Sequence, residues 1–401
     1  MNCPSEPAPV RDTAVSREAR EAVLTLWDYC EQRNWAGYDP FDALNSKVLE
    51  RLGVFGARWP RLIATQLLKR CMVNIRPLLG IPPAANPKGL ALFVSSAVRL
   101  ARVQLKSEAK VNELVAQLES LRSPGVPEWC WGYPFPWQTR TILFPRWQPN
   151  IICTTFAANA LLDAYDLTGR TELLEKAASA ADFVLKNFYY ETDELACFSY
   201  TALARGRVHN ANLLGAALLC RVAGTAGRDD LLAPAFKATR YTVKQQYPDG
   251  SWDYGESDNP PQRWRDNFHT GFNLLALDAI CRYGETDEFQ ESLRSGFVYY
   301  RQNFFEADGA PKYFHNRRYP LDIHSAAQSI ITLVELSRLD ANNLRLAESV
   351  FRWTMQNLRA PEGFYYYQKR ALFTNKLSYM RWTQAWMLLA LSALLSGPSA
   401  D

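Results

Sequence analysis

Histidine is scarce in this chain, and long apolar runs, blocks of like charge and paired cysteines are missing. Only four histidines occur among 401 residues. No stretch reaches the roughly 18 uninterrupted apolar residues of a helical membrane span, which excludes a membrane-embedded protein of that type. The opening MNCPSEPAPVRDTAVS lacks a charged start followed by an apolar core, so it does not read as a secretory signal. A formal net charge of +4 with no basic run argues against nucleic acid as a partner. The eight cysteines, at positions 3, 30, 71, 130, 153, 197, 220 and 281, form no CxxC or other metal-ligand pair. With no HExxH spacing either, neither a metal nor another cofactor is expected. Cys153, Cys220 and Cys281 lie in apolar runs, where a free thiol packs as a small hydrophobe. Reduced cysteines and the missing signal together predict a cytoplasmic protein.

What the chain has is repetition. Hydrophobic residues make up 48% of it and aromatics 13%, enough for a large core. Four segments share one plan: an amphipathic helix, an aromatic loop, then a polar cluster that opens a nearly all-apolar helix. The first runs through TELLEKAASAADFVLKNFYY to VHNANLLGAALLCRVAG, and the second through PDGSWDYGESDNPPQRWRD to NFHTGFNLLALDAICRYG. The third ends in IHSAAQSIITLVELSR and the fourth in RWTQAWMLLALSALLSG. An earlier unit combines KVNELVAQLESL with NIICTTFAANALLDAYDLTG. In the more degenerate N-terminal part, YDPFDALNSKVLERLG and NPKGLALFVSSAVRLARV read as inner helices. EAREAVLTLWDYCEQRN and RWPRLIATQLLKRCMV read as outer ones.

A helix apolar on all sides must be covered on all sides, whereas one with a single apolar stripe can face water. Alternating the two kinds gives an inner ring wrapped by an outer one. The expected fold is therefore an all-α toroid of six to seven hairpins, one domain over residues 16–397 behind a disordered tail of residues 1–15. Short glycine-bearing turns close one end, and the long aromatic loops gather at the other, where loops on a rigid scaffold carry function.

All four histidines fall in those loops or at the first turn of an inner helix. His209, His269, Tyr200, Tyr254, Asp249, Asp253, Glu256 and Arg265 are the catalytic candidates. Trp131, Tyr133, Asn210, Asn212, Trp252, Asp266, Tyr313, His315, His324, Tyr366, Arg381 and Trp382 are the substrate-binding candidates. Asn267 and Asp322 read first as helix caps. Aromatic rings around a cleft suit sugar faces, although rings also seal loops against helix ends. Two chemistries use such residues. Glycoside hydrolysis needs two carboxyl groups across the bond, for which Asp42, Glu194 and the loop acids are available. Epimerisation or elimination at a uronic acid needs a neutralised carboxylate and His or Tyr to move a proton. A third possibility is a glycan-binding subunit that needs stacking but no titrating groups.

With these repeats in place, the chain resembles the α/α-toroid superfamily of six-hairpin glycosidases, acylglucosamine 2-epimerases, glucuronyl C5-epimerases and toroid polysaccharide lyases. The phrases YDPFDALNSK, VHNANLLGAALL, YPDGSWDYGE, NFHTGFNLLALDAICRYG and RWTQAWMLLAL resemble bacterial proteins encoded in exopolysaccharide and capsule clusters, from about Tyr38 to Leu395. That resemblance implies a polysaccharide or glycan precursor as ligand and other polysaccharide biosynthesis proteins as partners. It carries no catalytic residues across. Gln246–Trp252, QYPDGSW, is also similar to the QW repeat of squalene–hopene cyclases and prenyltransferases, where Gln and Trp tie a loop to a helix end. Their acidic DxDD motif is absent here.

Overall fold

The computed structural model describes residues 14–139, 142–256 and 262–399. In chain order its helices are α1 (Ala14–Glu31), α2 (Lys47–Arg51), α3 (Arg58–Arg70), α4 (Pro87–Arg102), α5 (Glu108–Ser120), α6 (Ile151–Thr168) and α7 (Thr171–Phe188). There follow α8 (His209–Ala226), α9 (Leu232–Lys244), α10 (Asn267–Tyr283), α11 (Gln290–Asn303), α12 (Ile323–Glu335), α13 (Asn343–Leu358) and α14 (Trp386–Ser396). Helix α14 is entered through one π-helical stretch, Met380–Ala385.

Inner helices α4, α6, α8, α10, α12 and α14 pack each on the next, and α14 closes back on α4. Outer helices α5, α7, α9, α11 and α13 cover them, and α1 completes the outer ring by packing on α14. The described residues form an all-α toroid of six hairpins. Burial follows the sequence pattern: α6 and α8 are buried on nearly every side, while α7 and α13 bury one stripe. Asn86, Asn150, Asp266 and Asp322 cap inner helices through their side chains. The cap of α10 is thus Asp266, while Asn267 is already the first helical residue. At the short-turn end, α6 and α8 stop at Gly169 and Gly227, both left-handed, a conformation a Cβ disfavours.

Two N-terminal expectations are corrected. Residues 14 and 15 already belong to α1, and the rest of the expected tail lies outside the described residues. The segment from Tyr38 to Arg70 supplies no ring hairpin. Its first half forms a 3-10 turn and the short α2, and α3 lies beside the aromatic loops as a cap. Helix α3 buries only Thr65 and Leu68, too narrow a stripe for a place in the ring.

The loops at the aromatic end are stitched together. The first residue of one inner helix donates its N–H to a tyrosine carbonyl in the next loop: Ile151 to Tyr200, His209 to Tyr254, Asn267 to Tyr313, Ile323 to Tyr367 and Met380 to Tyr38. Helix α4 begins with Pro87, which has no N–H to give. QYPDGSW does similar work one layer out. Gln246 bonds the backbone of Gly250 and Ser292, and the Trp252 indole donates to the Thr242 carbonyl. No described helix is long and apolar enough to cross a membrane.

Candidate functional site

Five of the six inner helices start at the aromatic end with the first residue fixed outward by that backbone bond, and α4 starts there with Pro87. The next residue is turned by about 100° and faces the toroid axis. Lys88, Ile152, Asn210, Phe268, His324 and Arg381 occupy this second position in the six inner helices, and all six line one cleft of about 340 Å³. Tyr133, Tyr200, Tyr254 and Tyr313 hang over it from the loops, with Trp137, His269, Phe272 and Trp382 completing the walls. Helix α3 closes one side with Leu62, Thr65, Gln66 and Lys69.

The electrostatics of this cleft are one-sided. Lys69, Lys88 and Arg381 line it, and no carboxylate does among the described residues. Arg381 is held by Asp39 through two bonds of 2.6 and 2.8 Å. Lys88 has no such partner; its ammonium lies 4.5 to 5.2 Å from the ring centres of Phe156, Trp386 and Phe272. Burial, with Arg381 nearby, pushes its pKa down to about 7. Burial also lowers that of Lys69, which lies over the Phe41 ring.

The two cleft histidines differ. His269 Nδ1 sits 2.7 Å from Asp266 Oδ2, and the same carboxylate caps α10 and accepts the Trp264 indole N–H. An ionised carboxylate only accepts, so the proton of neutral His269 lies on Nδ1 and Nε2 is left for a ligand. His324 is stacked between Phe268 and Trp386, with centroids 4.4 and 4.5 Å away. Burial, then Lys88 and Arg381, hold its pKa well below the usual imidazole range. Neither of its ring nitrogens, nor Oδ1 of Asn210, has a hydrogen-bond partner among the described residues. Buried polar atoms without partners at a cleft wall are poised for a ligand. Tyr133 and Tyr200 meet hydroxyl to hydroxyl at 3.4 Å, and burial raises the pKa of both.

Of the sequence-derived candidates, Tyr133, Tyr200, Asn210, Tyr254, His269, Tyr313, His324, Arg381 and Trp382 come together here. Asp266 stands behind His269. The rest do not line the cleft, each for a local reason. His209 is a first-position residue and turns outward, its Nδ1 3.2 Å from Thr242 Oγ1; burial takes its pKa down to about 4. Asn212 is spent on the backbone of Phe198 and Ala238. Trp131 and Trp252 are buried beneath the loops, each indole on a helix-end carbonyl. Asp249 and Asp253 pair with Arg265 at 3.0 and 3.1 Å, and Glu256 lies 3.5 Å from Arg207. His315 packs near Tyr299, and Tyr366 stacks edge-on to Phe364. Of the other acids, Asp42 is buried against Arg76 and Glu194 is exposed. Lys69, Lys88, Trp137, Phe268 and Phe272 were missed. The alignment of inner-helix starts would have found Lys88 and Phe268. No three described His, Cys, Asp or Glu residues converge as a metal-ligand cluster.

No protein-family model and no curated protein matches this chain. Solved structures do. An unsaturated glucuronyl hydrolase specific for heparin superposes with a TM-score of 0.64 at 13% identity, over 95% of this chain and 96% of its own. A sugar epimerase from a ruminal bacterium gives 0.60 at 12%, over 80% and 91%. A polysaccharide lyase gives 0.58 at 10%, over 95% and 98%. At these identities the likeness establishes the shared α/α-toroid fold.

Proposed function

We propose that this protein is a carbohydrate-active enzyme of bacterial surface polysaccharide biosynthesis that moves a proton at the carbon beside a uronic acid carboxylate. The observation that carries this reading is the composition of the cleft: three basic side chains, two histidines, four tyrosines and no carboxylate among its described lining. Two-carboxylate hydrolysis finds no pair there, because the sequence-derived acids are in ion pairs, exposed or holding a histidine.

In this reading the sugar carboxylate lies against Lys88 and Lys69, whose charge stabilises the negative charge that develops when the neighbouring C–H is broken. His269, oriented by Asp266, takes the C5 proton at Nε2. Return of a proton to the opposite face, from a cleft tyrosine hydroxyl, gives the epimer. Departure of the C4 oxygen with a tyrosine proton instead gives an unsaturated sugar. Both outcomes share the first step and the same residues. The names of the sugar epimerase, glucuronyl hydrolase and lyase neighbours agree with a sugar ligand in a toroid of this kind.

The test is incubation of the protein with uronate-containing polysaccharides in deuterated water, followed by NMR and ultraviolet absorbance. Deuterium at C5, or an unsaturated product, is the expected result. New reducing ends without either would overturn the reading in favour of hydrolysis, and an unchanged polymer would overturn it in favour of a binding subunit.

A further inference from the structure

The cap between α1 and α4 carries an unusual surface. Val48, Leu52, Trp59, Ile63, Leu67, Met72, Val73 and Leu78 are all exposed, more than half of the large apolar side chains exposed among the described residues. On α3, Trp59, Ile63 and Leu67 recur every fourth residue, 64, 55 and 67% exposed, and make one stripe. Its other sides are taken: Thr65 and Leu68 are buried, and Leu62 and Lys69 face the cleft. A groove shared by Gln66, Lys69 and Arg70 leads to the loop tip bearing Leu372 and Phe373, of which Leu372 is 95% exposed.

Charge accompanies this surface. Residues 46–78 hold seven basic residues and one acidic residue, a larger net charge than the +4 of the whole chain. Arg76 is consumed by Asp42, but Lys47, Arg51, Arg58 and Arg70 are exposed around the apolar stripe. A helix with a tryptophan-bearing apolar face and flanking Arg and Lys suits the boundary of an anionic bilayer: the apolar side chains enter the acyl region and the cations meet headgroup phosphates. A polyanionic glycan would be served by the cations and would leave Ile63, Leu67, Met72 and Val73 unexplained.

We propose that α3 and the surface around it dock this protein on an anionic lipid bilayer, with the mouth of the cleft beside the membrane plane. The inference goes beyond the proposed chemistry and does not depend on it. A glycan still attached to a lipid carrier would then reach the cleft without leaving the membrane surface.

The experiment is flotation of the purified full-length protein with vesicles of phosphatidylglycerol and phosphatidylcholine, and with phosphatidylcholine alone. Binding to the anionic vesicles is expected, falling as salt rises, with at least about tenfold weaker partitioning for Ile63→Asp/Leu67→Asp. A second variant, Arg58→Glu/Arg70→Glu, leaves the apolar stripe in place and is expected to lose most of the preference for anionic lipid. The replaced side chains are exposed, so thermal melting should be unchanged. Absence of binding to anionic vesicles, or binding by both variants equal to that of the natural protein, would overturn the proposal. So would self-association through this stripe without vesicle binding, which would make its occupant a second copy of the chain.

Discussion

The axial position of the inner helices and the loop between α9 and α10 are both dense in titratable side chains, yet they differ in what those side chains are bonded to. In the loop, Asp249 and Asp253 share Arg265, and Tyr247 donates to Asp253. Asp249, Asp253 and Glu256 each have an arginine beside them, so these acids are paired without a ligand. At the axis, Lys88 lies over aromatic rings, His324 has two free nitrogens and Asn210 a free oxygen. Burying polar atoms without hydrogen-bond partners costs free energy, which the ring contacts of Lys88 offset only in part. A set of chemically able residues is a candidate site when its bonding is incomplete, and a structural knot when it is satisfied.

The largest effect should come from the cleft histidines. His269→Ala is expected to lower turnover on a responsive uronate polymer by about 10²–10⁴-fold, with KM little changed. His209→Asn should leave turnover nearly intact, and the reverse ranking in steady-state kinetics would dissolve the distinction between first and second positions. Next comes Asp266→Asn, which keeps an N-cap for α10 but no longer fixes the His269 tautomer. A fall in kcat on the order of 10²-fold with unchanged KM is expected, along with a shifted pH profile; a change confined to thermal stability would leave Asp266 only as a cap.

Lys88→Met should weaken glucuronate binding by about tenfold or more, the scale of a lost hydrogen bond to a charged group. The pH dependence is the sharper measure. The free protein loses the Lys88 proton near pH 7, and a carboxylate binds the protonated form. Affinity measured by calorimetry should therefore decline as pH rises through 7 in the natural protein and stay flat in the variant. The smallest effects belong to the loop. Asp249→Asn and Glu256→Gln remove half-exposed ion pairs and should change melting by under about 1 kcal/mol and turnover by less than about twofold. A tenfold loss of turnover in either would move the chemical centre out to the loop.

The repeat was legible because the inner helices had no choice: segments such as NIICTTFAANALL and FNLLALDAI are apolar on all sides, and only a doubly covered layer accommodates them. Their starts and the cap Asp322 were equally visible, whereas the cap of α10 is Asp266 and not the expected Asn267. The cap segment was misread because RWPRLIATQLLKR has helical periodicity, and periodicity reports an amphipathic helix without saying what its apolar face meets. The stripe that looked like an outer-helix seam is exposed. Within the site, chemical type singled out His209 and the acidic loop, and both proved self-sufficient. Lys88 was passed over because a lysine in an apolar run resembles any surface lysine until the chain closes around it.

Composition and period by themselves determined an all-helical toroid with its aromatic loops at one end, since those properties depend only on which faces of each helix can meet water. Which residues converge on the axis was decided by the tertiary structure. One step along a helix turns a side chain by about 100°, and the backbone bonds from each helix start to the neighbouring tyrosine carbonyl set that rotation. Four of those bonds join residues roughly 45 to 50 positions apart, and the fifth, from Met380 to Tyr38, joins the two ends of the ring, so no local stretch of sequence records the angle at which His209 turns away and Asn210 turns in.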